Sequence, residues 1–71
     1  MNLVAKLVRD RVYFYGGKDK QTVVRKLCIL NEIAIVECPN AALPSFHVAL
    51  SDLSTVVADA ILVGYTITIS G

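Results

Sequence analysis

Two cysteines and one histidine are the side chains of this chain that could hold a metal ion or attack a substrate. Nine residues separate Cys28 from Cys38, and eight separate Cys38 from His47. The sequence contains neither Cys-x-x-Cys nor His-x-x-x-His. Zinc sites usually contain such closely spaced ligand pairs. Both cysteines lie in apolar runs, where a thiol stays protonated and is a poor nucleophile. We therefore predict buried thiols, with no metal, no cofactor and no catalytic residue.

The acidic residues and the glycines offer no other kind of chemistry. Acid–base catalysis requires carboxylates placed together, whereas Asp52 belongs to a predicted turn and Glu37 faces Lys26 in a predicted hairpin. Gly16-Gly17-Lys18 precedes a predicted strand, while a phosphate-binding loop leads into a helix. We predict that the protein is not an enzyme. An enzyme whose site forms at the shared pore of an oligomer remains an alternative.

The composition limits the chain to a few classes of protein. It has 71 residues, of which 55% are hydrophobic and 18% charged. This length supports one domain, 1–71, with one core. The abundance of Val, Ile and Leu excludes intrinsic disorder, and two cysteines are too few for a disulfide-stapled secreted scaffold. Because no apolar stretch reaches the ~20 residues of a membrane span and no signal-peptide pattern is present, we expect a cytoplasmic protein with reduced thiols.

The net charge of +1 hides an asymmetry along the chain. Residues 1–26 contain all seven lysines and arginines and carry a net charge of +5, whereas residues 27–71 carry −4. Such a dipole produces a strong local field although the total charge is small. It indicates an anionic partner for the first half, or contact between the acidic half of one copy and the basic half of another.

Short apolar runs between turn residues predict a β-rich chain. Asn31-Glu32 is the predicted turn of a hairpin in which Lys26 faces Glu37. Ser51 is expected to cap a 3₁₀ turn, with Leu53 filling the core. The predicted elements, in order, are strands at 3–9, 12–15, 22–30 and 33–38, a break at 39–44, a strand at 45–50, the 3₁₀ turn at 51–54 and β structure from 56 to 69. For the first of these segments, two helical turns are the alternative to a strand.

Four segments carry a more specific pattern of apolar and turn residues. They are Arg11-Val12-Tyr13-Phe14-Tyr15-Gly16-Gly17, Thr22-Val23-Val24-Arg25-Lys26, Ala34-Ile35-Val36-Glu37 and Phe46-His47-Val48-Ala49-Leu50-Ser51-Asp52-Leu53. Together they resemble the SH3-like small barrels of the KOW and Tudor type, although Arg9 replaces a glycine that often precedes the aspartate of the first strand there. The resemblance implies an all-β barrel of five to six short strands with one 3₁₀ turn and a core at 8–57. Residues 58–71 are predicted to add an extra apolar strand.

A basic and aromatic surface is the best candidate for a function. Tyr13 and Tyr15 point away from Val12 and Phe14 in the predicted strand, and basic residues flank them. Aromatic rings beside cations bind single-stranded nucleic acid and methylated or Arg-rich peptides. The predicted binding residues are Arg11, Tyr13, Tyr15, Lys18, Lys20, Arg25 and His47. The sequence thus predicts a non-enzymatic module whose partner is a protein or a nucleic acid; the alternative is an accessory or phage-type protein that occludes another protein.

The apolar residues also predict a homo-oligomer. If 22–38 and 56–69 are strands, both faces of these strands are apolar. A small barrel buries one face of each strand and leaves the other in water. A second copy would cover the remaining face. The alternative is a bulge near Gly64 that lets one long strand change faces.

Overall fold

One five-stranded sheet with two helices forms the fold. The computed structural model describes residues 2–16, 18–39 and 44–71. Its elements are β1 (Asn2–Val8), β2 (Arg11–Tyr15), α1 (Lys18–Leu30), β3 (Val36–Glu37), β4 (Ser45–Ala49), a 3₁₀ turn (Leu50–Asp52), α2 (Leu53–Leu62) and β5 (Thr66–Ser70). The strand order is β3-β4-β2-β1-β5, in which β5 is parallel to β1 and every other neighbouring pair is antiparallel.

The first two strands confirm the alternation seen in the sequence. β1 and β2 form a hairpin in which Val8 pairs with Arg11, so that Arg9 and Asp10 make the turn. Arg9 adopts a left-handed conformation with φ of 58°, which costs a non-glycine residue about 1 kcal/mol. Alternate residues of both strands are buried, among them Val12 and Phe14.

Both helices pack on the same face of the sheet and complete the core. α1 buries Gln21, Val24 and Cys28, and α2 buries Val56 and Ala60, at spacings of three and four residues that place them on one side of each helix. The core joins these helix residues to the inward residues of three strands. Its buried members are Leu3, Ala5, Val12, Phe14, Val24, Cys28, Phe46, Val48 and Val56.

Both helices end in the same backbone motif. After α1, the Glu32 amide donates to the Ile29 carbonyl and the Ile33 amide to the Cys28 carbonyl, with Glu32 at φ of 57°. After α2, Gly64 has φ of 87° and Tyr65 donates back to Ala60. These are Schellman motifs, which satisfy the last carbonyls of a helix through a left-handed residue. Asn31-Glu32 is therefore the end of a helix and not the hairpin turn that the sequence predicts.

The structure has five strands, but the all-β prediction is wrong for two segments, and the strand predicted at 33–38 is reduced to Val36–Glu37. Residues 22–30 and 56–62 are helical, and their buried positions repeat every three to four residues, as one buried side of a helix requires. Consequently Lys26 does not face Glu37 across a hairpin. Among the described residues, β3 pairs only with β4 and β5 only with β1, so no strand pairing closes the sheet into a barrel.

Several smaller predictions can be compared with the structure. The 3₁₀ turn lies at Leu50–Asp52, one residue earlier than expected, and Ser51 lies within it and does not cap it. Leu53 packs against the core as predicted. Leu3 and Ala5, which precede the predicted core at 8–57, belong to the same cluster. Most of the predicted break at 39–44 lies outside the described residues. No helix in the part of the chain that the structure describes has the length and hydropathy needed to cross a membrane.

Candidate functional site

The face of the sheet opposite the helices is open to solvent. It carries the outward residues of β1, β2, β4 and β5, since successive strand residues point to opposite faces. Tyr13, for example, lies in one row with His47 on β4 and Lys6 on β1, and Lys6 lies beside Ser70 on β5. The outward residues of β1 and of the central strand β2 are Asn2, Val4, Lys6, Val8, Arg11, Tyr13 and Tyr15. We call this surface the open face.

Three aromatic side chains form a ridge across the open face. The ring centroids of Tyr13 and Tyr15 are 6.4 Å apart, with an interplanar angle of 19°. Those of Tyr13 and His47 are 4.9 Å apart at 50°. All three side chains are half-buried, so their rings contact one another and remain accessible. We call Tyr13, Tyr15 and His47 the aromatic ridge.

Three shallow grooves border the aromatic ridge. The largest, of about 430 Å³, lies beside Tyr15 and includes Val4, Lys6 and Ser70 in its lining. A second, of about 370 Å³, lies beside Tyr13 and contains Arg9 and Arg11. A third, of about 230 Å³, lies beside His47. The first two have volumes at the low end of the range for small-molecule sites.

The cations of the open face are available to a partner. Within the described parts of the chain, Lys6, Arg9 and Arg11 take part in no ion pair. Asp10, in the hairpin turn, lines the second and third grooves, and Asp52 also lines the third. The side chains that line the first and second grooves therefore carry a net positive charge, from Lys6 in the first and from Arg9 and Arg11 in the second.

Arg25 lies in the other layer of the fold. Its guanidinium forms an ion pair with Glu37, donates from Nη2 to Gln21 Oε1 at 3.0 Å, and lies 4.6 Å from the centre of the Phe46 ring. The hydrogen bond to Glu37 raises the pKa of Arg25. Gln21 is fully buried and donates to the carbonyls of Gly16 and Pro44, both at 2.7 Å. Arg25 therefore joins α1 to β3 and is separate from the open face.

The structure brings together four of the seven predicted binding residues, Arg11, Tyr13, Tyr15 and His47. Lys18 and Lys20 belong to the first turn of α1, which starts two residues after Gly16 at the end of β2. Gly16 therefore leads toward a helix, not a strand as the sequence predicts. Sequence reasoning missed Lys6, although its alternation with Ala5 and Leu7 in the predicted first strand places it on the same face as Tyr13.

The cysteines and the histidine do not form a site. Cys28 is buried in α1 on the helix side of the sheet, whereas His47 lies on the open face. Burial raises the pKa of the Cys28 thiol, so it is less nucleophilic than a free cysteine. Cys38 is half-buried. Among the described residues, no three His, Cys, Asp or Glu side chains are grouped as metal ligands.

Comparisons with known proteins give no relative for this chain. No protein-family model, curated protein or solved structure matches it. The resemblance to SH3-like barrels therefore stays a prediction.

Proposed function

We propose that the protein is a non-enzymatic module that binds single-stranded nucleic acid on the open face of its sheet. The observation that carries this proposal is the aromatic ridge, whose three rings lie on an uncovered sheet with cations on either side. Because the strand direction sets the spacing of Tyr13 and Tyr15, successive bases can occupy neighbouring positions along β2. The free thiols fit the cytoplasmic location expected from the sequence.

Stacking of bases on the aromatic ridge would supply enough binding free energy for such a module. An aromatic platform contributes about 1–3 kcal/mol per stacked base and tolerates any base, because every base has a π face. Duplex DNA hides these faces inside its helix. We therefore expect single strands to bind more tightly than a duplex of the same length and charge.

The charges of the same surface suit a phosphate backbone. Lys6 and Arg11 flank the aromatic ridge on β1 and β2 and are not neutralised by an ion pair within the described residues. The N-terminus of α1, with its partial positive charge, follows the end of β2 next to Tyr15. These features support a phosphate backbone that runs beside the aromatic ridge.

A protein partner is the second candidate. Val4 and Val8 are also exposed on the open face, and Val36 on β3 lies in the row of His47. Apolar side chains beside tyrosines are common at protein interfaces. Under this alternative, the protein would act by covering part of another protein, and its binding would depend weakly on salt.

A titration with fluorescent oligonucleotides separates the two candidates. We expect a short oligo(dT) to bind at about 50 mM salt, more tightly than a duplex, with an affinity that falls steeply as salt rises. Tyr13→Ala combined with Tyr15→Ala should weaken binding by roughly tenfold or more. Tyr65→Ala is the matched control, because Tyr65 follows α2 and lies outside the open face. Absence of binding at low salt, or equal losses in both variants, would contradict the proposal.

A further inference from the structure

The outer edge of β5 has none of the usual protection of an edge strand. Thr66–Ser70 contains neither charge nor proline, and its register with β1 runs without a bulge over five residues. Within the described residues, β5 pairs on one side only. Proteins usually protect such an edge with lysine, proline or a bulge, because its free amides and carbonyls accept another strand. The edge of β5 is therefore open to strand pairing.

The helix layer is also incomplete beside this edge. Ile69 points to the helix-covered side, since it pairs with the fully buried Ala5, yet it is 41% exposed. At the end of α2, which packs against β5, Ile61 and Leu62 are 64% and 83% exposed. Apolar side chains thus continue from the sheet edge onto the neighbouring helix. An occupant of this edge needs a strand for β5 and an apolar helix surface for α2.

The distribution of charge favours a second copy of the same chain as that occupant. From Leu53 to Gly71 the only charged side chain is Asp59, and its Oδ2 accepts a hydrogen bond from Asn31 at 2.6 Å. A residue that lies on a two-fold axis is close to its own copy, so that a charge there meets a like charge. A neutral edge avoids this repulsion. A second copy also supplies both required elements, a free β5 edge and the apolar end of α2.

We propose that two copies form a dimer through antiparallel pairing of their β5 strands. A two-fold axis perpendicular to the sheet joins the two sheets into one and places the two α2 helices side by side. Ile69 and Ile61 then contact the partner, since Asp59 and Leu62 lie on the side of α2 that faces α1. Both open faces lie on the same side of the joined sheet. The contact differs from the one predicted from sequence, which relied on strands at 22–38 and 56–69.

The mass of the protein in solution, without nucleic acid, tests this proposal independently of its function. By sedimentation equilibrium we expect a dimer of twice the 7.7 kDa chain. Ile61→Glu should dissociate it, because it places a carboxylate in the apolar contact. Ile29→Glu is the matched control: Ile29 is 69% exposed near the end of a helix, but α1 lies away from β5. A monomeric wild type, or a dimer that Ile61→Glu leaves intact, overturns the proposal.

A second variant tests the strand pairing itself. Thr68→Lys places a cation on the exposed edge strand without removing a buried side chain, and we expect it to yield a folded monomer. Hydrogen exchange should show amides of Thr66–Ser70 that become protected as protein concentration rises in the wild type but not in this variant. Assemblies larger than a dimer, or exchange in β5 that is independent of concentration, contradict a closed two-fold contact.

Discussion

The two faces of the sheet carry similar aromatic pairs in adjacent rows. On the covered face, Phe14 of β2 stacks on Phe46 of β4 with centroids 5.1 Å apart, and both are fully buried. On the open face, Tyr13 and His47 of the same two strands are 4.9 Å apart and only half-buried. The centroid distances are nearly the same, although the interplanar angles are 22° and 50°, and the difference in burial decides what each pair does. The covered pair stabilises the fold, whereas the open pair keeps its rings available for a partner.

Removal of a ring from the covered face should have the largest effect on stability. Phe14→Ala is expected to lower the free energy of unfolding by about 3–5 kcal/mol, because it removes a fully buried ring and leaves a cavity. A chain of this size has roughly 4–11 kcal/mol in total, so much of the variant should be unfolded. Urea denaturation followed by circular dichroism measures the change.

Tyr13→Ala, one residue away on the open face, is the control for this change. We expect it to cost less than about 1.5 kcal/mol, since the ring keeps much of its exposure in the folded state. Equal losses from the two variants would show that the open face also stabilises the fold, and the division between the faces would then be wrong.

The sequence predicted the open face better than the helix layer on the other side of the sheet. Strict alternation in 12–15 and 45–50 places Tyr13, Tyr15 and His47 on one side without knowledge of the helices. The helices were missed because Thr22, Val23 and Val24 favour strands locally, while the core selects a helix that buries Gln21, Val24 and Cys28 together. Arg25 was misplaced for the same reason, because its position on α1 and its ion pair with Glu37 depend on tertiary packing.

Loss of a cation from the open face should alter the salt dependence of binding. Lys6→Gln is expected to reduce the slope of log K against log salt by about 0.7, the value for one phosphate contact in a single strand. Its stability should stay close to that of the wild type, because Lys6 is exposed and in no ion pair within the described residues. Lys26→Gln, on the exposed side of α1, is the matched control and should retain the wild-type slope. Equal changes in both would indicate binding by overall charge alone.

The covered face should also respond to alkaline pH through its buried thiol. Burial raises the pKa of Cys28 above its ordinary value of 9.0, so the folded state holds this proton more tightly than the unfolded state. The resulting contribution to stability is complete below pH 9 and is lost as pH rises through the folded-state pKa. We expect the free energy of unfolding, measured from about pH 7 to about pH 10, to fall less steeply in Cys28→Ala than in Cys38→Ala. If the free energy of unfolding fell equally steeply with pH in both variants, the Cys28 thiol would not be the source of the pH dependence.

The smallest effect is expected from the ion pair between the layers. The side chains of Arg25 and Glu37 are 24% and 60% exposed, so water screens their attraction, and Glu37→Gln should cost less than about 1 kcal/mol. The raised pKa of Arg25 keeps this contact charged throughout the neutral range, so it adds no pH dependence there.

The informative measurement is oligonucleotide affinity, because Arg25 lies on the side of the sheet opposite the aromatic ridge. Unchanged affinity in Glu37→Gln and in Arg25→Gln supports a binding surface limited to the open face. A salt slope reduced by Arg25→Gln as much as by Lys6→Gln would restore Arg25 to the binding surface and extend that surface around the β3 edge.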